Sequence, residues 1–170
     1  MHIRKLIVSL ILILAFLGCK TSNKQTQELN TTKLYGKQPI SYVNDYSDLL
    51  NEQEIAELDT FLRDYEKRTT RECILVVMEN IEPYEDILEF GKDIGNRLGV
   101  GKKEKDNGLM IILDMSKRNV GISTGLGTEK VLTDSICQTV INEDIIPKFK
   151  DGKFHDGILA GFTSLMNKWK

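Results

Sequence analysis

Residues 106–134 read DNGLMIILDMSKRNVGISTGLGTEKVLTD. The turn dipeptide Asn107-Gly108 opens an apolar run from Leu109 to Leu113, a polar turn follows from Met115 to Arg118, and a second strand is expected from Asn119 to Thr124. So short a connection makes the pair an antiparallel hairpin. A Gly-Leu-Gly loop at 125–127 then leads to Thr133-Asp134, where the next helix should begin. Two carboxylates, Asp106 and Asp134, thus bracket a strand pair at loop positions. Acids on loops held by a sheet are a common way to handle a hard cation or a phosphate.

Upstream of this segment, Asn51 followed by Glu54 forms the Asn version of a capping box, and Ile55, Leu58, Leu62 and Tyr65 fall on one face of a helix from about Glu52 to Lys67. Cys73–Met78 (CILVVM) is a continuous apolar run, as expected of a strand covered on both faces. Pro83 is expected to open a second helix carrying Ile87, Phe90, Ile94 and Leu98 and ending at Gly99. The charged loop from Gly99 to Asp106 should be solvated and mobile. Downstream, a helix capped by Thr133 or Asp134 buries Ile136, Val140 and Ile141 and should stop before Pro147. A last helix from about Phe154 to Trp169 presents Ile158, Phe162 and Leu165. The order helix, strand, helix, strand, strand, helix, helix predicts an α/β fold: a single three-layer α/β/α sandwich with a small mixed β-sheet.

The chain has 170 residues, 41% hydrophobic and 28% charged, with a formal net charge of −2. That balance suits one globular domain with appendages and carries no nucleic-acid footprint. Residues 1–18 read as an export signal: Arg4 and Lys5 precede an apolar run from Leu6 to Leu17, which ends at Gly18-Cys19. This end resembles the bacterial lipoprotein signal, which implies acylation of Cys19 and attachment to a membrane. Residues 19–38, rich in Thr, Asn, Gln and Lys, read as a flexible tether, and residues 39–170 as the folded domain. The expected location is therefore the bacterial cell envelope, as an exported, membrane-anchored lipoprotein.

Several motifs hold residue types used in known chemistries. Gly121-Ile122-Ser123-Thr124-Gly125 fits the nucleophile-elbow pattern with His155 downstream, but a loop rather than a helix follows Gly125, so Ser123 reads as a strand residue. Asp114 ends an apolar strand and reads as a turn former. Cys73 and Cys137 read as small buried hydrophobes, with a disulfide between them left open. His155 is the one histidine of the mature chain, which argues against a multi-histidine zinc site and leaves oxygen ligands. The oxygen-donor candidates are Asp45, Asp106, Asn107, Glu129 and Asp134.

From about Tyr42 onward the chain resembles the TPM domain family, named after a thylakoid phosphatase. The resemblance rests on Val43-Asn44-Asp45 ahead of DLLNEQE, on CILVVM, on Asp106-Asn107-Gly108-Leu109 entering a strand, and on Gly125-Leu126-Gly127 ahead of Leu132-Thr133-Asp134. It continues through Ile146-Pro147-Lys148-Phe149 and Phe154-His155-Asp156-Gly157-Ile158. It implies a three-layer fold, a divalent cation, calcium above others, held by Asp45, Asp106, Asn107 and Asp134, and an acid phosphatase activity credited to plant members. Ser123-Thr124 stands where an aromatic residue often precedes the glycines, and the chain ends at Lys170 without the transmembrane helix and glycine-rich tail of many relatives. Two functions are expected from this. The first is a cation-binding domain acting through a protein partner, in membrane-protein assembly or maintenance. The alternative is a metal-dependent phosphomonoesterase with a phosphorylated substrate, in which Asp45, Asp106 and Asp134 hold the ion and an acid or His155 manages the proton.

Overall fold

A computed structural model of the chain describes residues 41–102 and 104–170. The expected signal peptide, Cys19, the tether, Pro39, Ile40 and Lys103 lie outside the described residues. Among those described, no helix is long and apolar enough to cross a membrane.

Four strands, β1 (Val43–Asp45), β2 (Glu72–Met78), β3 (Gly108–Asp114) and β4 (Asn119–Thr124), form one sheet in the order β1-β2-β3-β4. The first three run parallel and β4 is antiparallel to β3, so the sheet is mixed as expected. One row of partners crosses it from Val43 through Leu75 and Ile111 to Ile122. Every residue of that row is buried on the same face.

That face carries the larger core. Helix α1 (Glu52–Thr69) packs on it through Leu58, Leu62 and Tyr65, beside α3 (Asp134–Val140), α4 (Ile146–Lys150) and α5 (Phe154–Lys168). Helix α2 (Ile87–Leu98) covers the other face alone, with Gly91 against Ile112 and Gly95 against Met110. Alternate residues of β2 and β3 therefore point into two different helix layers. This is why both strands read as unbroken apolar runs rather than as an alternation.

The Asn51 capping box of α1 is present in both directions, with Asn51 Oδ1 accepting from Glu54 N at 3.0 Å and Glu54 Oε2 accepting from Asn51 N at 2.9 Å. Two expected boundaries move. Helix α2 starts at Ile87 rather than at Pro83, because the Asp86 carboxylate accepts from Leu88 N and Glu89 N and fixes the N-cap there. Pro83 sits instead near a turn closed by Tyr84 N–H to Ile81 C=O, after a cis Glu82–Pro83 peptide bond.

The helical path also does not stop before Pro147. A π-helical turn, Ile141–Ile145, joins α3 to α4, and Ile146 N–H reaches back to Ile141 C=O. The wider turn accommodates a proline, which has no N–H to donate and whose ring would clash with an ordinary α-helical carbonyl four residues back. Trp169, placed at the end of the last helix, caps it and is buried against Tyr65, with the Arg71 guanidinium over its ring at 5.0 Å.

Candidate functional site

At the amino end of β3, two loops meet backbone to backbone. Gly125 N–H donates to Gly108 C=O and Gly127 N–H donates to Asp106 C=O, each at 3.0 Å. A Cβ on Gly127 would lie 2.0 Å from Lys105 O, and one on Gly125 would lie 2.3 Å from Asp106 O. Only glycine permits this approach, which is the physical reason that Asp-Asn-Gly and Gly-Leu-Gly occur together in this chain. Thr128 locks the contact from beneath: it is fully buried, and its hydroxyl donates to Gly108 C=O at 3.0 Å. Asp106, at φ +46°, is held in the left-handed region with its carboxylate exposed.

The result is a half-enclosed groove of about 540 Å³ between α2 and the ends of β3 and β4. Lys92 and Asn96 come from α2, Ser123 and Thr124 from β4, and Asp106 and Glu129 from the two loops. Met110 and Val100 give it apolar lining, and Leu126, 65% exposed, stands at its mouth. Four backbone amides of the glycine loop and the turn after it are already committed. Those of Gly125 and Gly127 bond Gly108 and Asp106, and those of Thr128 and Glu129 both bond Gly125 C=O.

Beside the groove, the described residues of the loop at 99–106 are mostly exposed, as expected, and hydrogen bonds hold them to their neighbours. Gly101 N–H donates to Glu72 Oε2, Lys102 N–H to Asn107 Oδ1, and the Lys102 ammonium to Glu66 Oε1 at 2.7 Å. Tyr42 donates its hydroxyl to the other Glu66 oxygen at 2.6 Å. Burial pushes the Glu66 carboxyl upward, but hydrogen bonds from Lys102 and Tyr42 outweigh it and hold the group below the ordinary carboxylate range.

The residues expected to share one cation are not brought together. Asp45 ends β1 and Asp106 precedes β3. Because those strands are parallel, the two acids lie at opposite ends of the sheet, roughly 20 Å apart by strand rise. Asp45 is also spent locally, accepting from Ser47 N and Leu50 N. Asn107 uses its oxygen on Lys102 N and its NH₂ on Thr70 C=O, so it pins the loop to the end of α1. Asp134 is the first residue of α3, favourable to the helix dipole, and does not line the groove. Among the described residues, no group of three acids, histidines or cysteines forms a preformed metal cage. Asp106 and Glu129 are the sequence candidates that share the groove.

Other expectations are answered by the faces of the sheet. Ser123 lies under Gly91 of α2, whereas His155 sits on the far side of the sheet, with Nε2 3.6 Å from Glu57 of α1. No elbow triad can form between them. Asp114 is buried and turns the hairpin, its Oδ1 accepting from Ser116 N, Ser116 Oγ and Lys117 N. Cys73 and Cys137 are buried free thiols: burial, then nearby acids, push Cys73 far up, and burial and Asp134 push Cys137 up to about 11. Lys92 and Asn96 were missed as site residues. The available signal was the Gly91/Gly95 spacing, which marks the face of α2 that approaches the sheet.

The sequence model of the TPM domain matches residues 43–168. Among solved structures, the N-terminal domain of a protein from P. gingivalis is 24% identical with a TM-score of 0.70, covering 80% of this chain and 86% of that one. A protein from the psychrophilic bacterium Bizionia argentinensis is 22% identical with a TM-score of 0.62, covering 74% and 89%. An N-terminal domain from Corynebacterium glutamicum is 16% identical with a TM-score of 0.60, covering 79% and 83%. At such identities these structures establish the shared fold alone. No curated protein matches the sequence significantly.

Proposed function

The chain belongs to the TPM domain family, and we propose that its domain is a divalent-cation-binding module that acts through a protein partner rather than by catalysis. The observation that supports this reading is the pairing of Asp106 and Glu129, 23 positions apart, on one groove with the hydroxyls of Ser123 and Thr124 and the amide of Asn96. All of these donors are hard oxygens or can present one, and none is a thiolate or imidazole. Such a set fits calcium, which accepts carboxylates, neutral oxygens and several waters in loose geometry, better than zinc. Asp106 and Glu129 would supply the charge. When bound, the ion neutralises two like charges across the groove and joins the two loops.

The phosphomonoesterase reading has less support. A phosphate dianion would meet two carboxylates and one ammonium, Lys92, and the amides of Gly125, Gly127, Thr128 and Glu129 are already bonded. The exposed Leu126 at its mouth suits contact with another protein. Acylation of Cys19, read from the sequence, would present this surface from a bacterial envelope membrane, where membrane-protein assembly or maintenance is the role we favour.

The test is thermal unfolding of the full-length chain with calcium, magnesium or chelator, with hydrolysis of an aryl phosphate followed in parallel. Calcium should raise Tm in the parent and not in Asp106→Asn/Glu129→Gln, with no turnover above that variant. Metal-dependent turnover that vanishes in the variant would replace this reading by the phosphatase one.

A further inference from the structure

Six polar side chains line the groove, those of Lys92, Asn96, Asp106, Ser123, Thr124 and Glu129, and none of them is hydrogen-bonded or ion-paired to another described residue. The polar groups just outside it are committed: Asn107 to Lys102 and Thr70, Thr128 to Gly108, and Lys102 to Glu66. The Lys92 ammonium thus has no carboxylate at ion-pair distance among the described residues, although two acids share its groove. In sequence, Lys92 and the loop residues Lys103, Lys105 and Lys130 stand against Glu104, Asp106 and Glu129, with Lys102 paired to Glu66. These charges nearly balance before any ion binds. With a divalent ion between Asp106 and Glu129 the balance becomes strongly positive, and the loaded groove attracts an anion.

The ion itself leaves room for that anion. Calcium takes about six to eight oxygens, and two carboxylates, even both bidentate, supply only about four of them. Because the groove is half open, the outward part of the shell falls to water or to an oxygen of another molecule. A carboxylate meets both needs, giving a hard oxygen to the ion and a negative charge to Lys92. A phosphate group brings three acceptor oxygens, and four amides beside the groove are already bonded. Leu126, 65% exposed at the mouth, and Leu88, 51% exposed one helical turn before Lys92, add apolar surface that a small free acid would leave uncovered. Building on the cation reading above, we propose that the partner enters as a polypeptide segment carrying a carboxylate flanked by apolar side chains. The carboxylate completes the ion's shell and pairs with Lys92, while its neighbours lie on Leu126 and, along α2, on Leu88. Ion and partner then bind as a pair, each raising the affinity of the other by the same factor.

The test is calorimetric titration of the full-length chain in detergent with calcium, alone and with short peptides. Acetyl-Leu-Asp-Leu-amide carries its carboxylate on a side chain, acetyl-Leu-Leu carries it at the chain end, and acetyl-Leu-Asn-Leu-amide is the uncharged control. At least one carboxylate peptide should tighten calcium about tenfold and be tightened equally by calcium, while the control does nothing. The peptide that responds tells a side-chain carboxylate from a terminal one. Lys92→Met should weaken the peptide and, by removing a like charge, strengthen calcium, whereas a general loss of structure would weaken both. Leu126→Ser should weaken the peptide severalfold. Absence of saturable calcium binding overturns the cation reading and this inference with it. Calcium binding that neither carboxylate peptide changes, or that the Asn control changes equally, overturns this inference and leaves the cation reading standing. Tightening by an aryl phosphate and by neither peptide overturns it in favour of a phosphorylated ligand.

Discussion

Lys102, Glu66 and Tyr42 join the loop before β3 to α1 and β1, and their titration fixes how the domain responds to pH. Glu66 is held low, so its share of stability is present above the ordinary carboxylate range and is lost as pH falls through its lowered value. The hydrogen bond to Glu66 raises Lys102 and pushes Tyr42 up to about 12, so their shares hold below pH 10 and fade as pH rises through the raised values. Lys102 is half exposed, so solvent screens the pair. Lys102→Met should cost about 0.5–1 kcal/mol at pH 7, and the difference from the parent should shrink as pH falls through the lowered Glu66 value, as read by urea unfolding. Asp45→Ala should cost about 1–2 kcal/mol, because Ser47 N and Leu50 N lose their acceptor, while the calcium response stays that of the parent. The two thiols should resist alkylation until the chain unfolds, since burial disfavours both thiolates.

At the scale of the elements, α2 depends on its two glycines. A Cβ at Gly91 would lie 2.6 Å from Ile112 Cδ1 and 2.9 Å from Ser123 Cβ, so Gly91→Ala should cost about 1–3 kcal/mol in a denaturant melt and narrow the groove. The helices whose caps are side chains were legible from sequence. Asn51 with Glu54 announced α1, and the stripe of Ile87, Phe90 and Ile94 announced α2. What misled was proline read as punctuation. Pro83 was expected to begin a helix that Asp86 begins, and Pro147 to end a path that a π turn carries on. In both places a neighbouring backbone or carboxylate arrangement, invisible to periodicity, decided the boundary.

For the whole molecule, strand direction was the missing information. The apolar runs and the short hairpin predicted a mixed sheet in three layers, and the sheet is so arranged. Which loops share an end follows only once β1, β2 and β3 are known to be parallel; this separates Asp45 from Asp106 and leaves Glu129 as the other candidate acid on the groove of Asp106. Both crossovers move the same way across the sheet, yet α1 and α2 lie on opposite faces, so the two are of opposite hand. That places α2 alone over β3 and β4, and the groove is the space left at its carboxyl end. The most direct measurement is a calcium titration of the ¹⁵N-labelled chain followed by amide NMR. Shifts confined to residues 105–108 and 123–130, saturating together, are predicted for an ion held by Asp106 and Glu129. Shifts centred instead on Asp45 and Asp114, at the other end of the sheet, or no saturable shift at all, would contradict it.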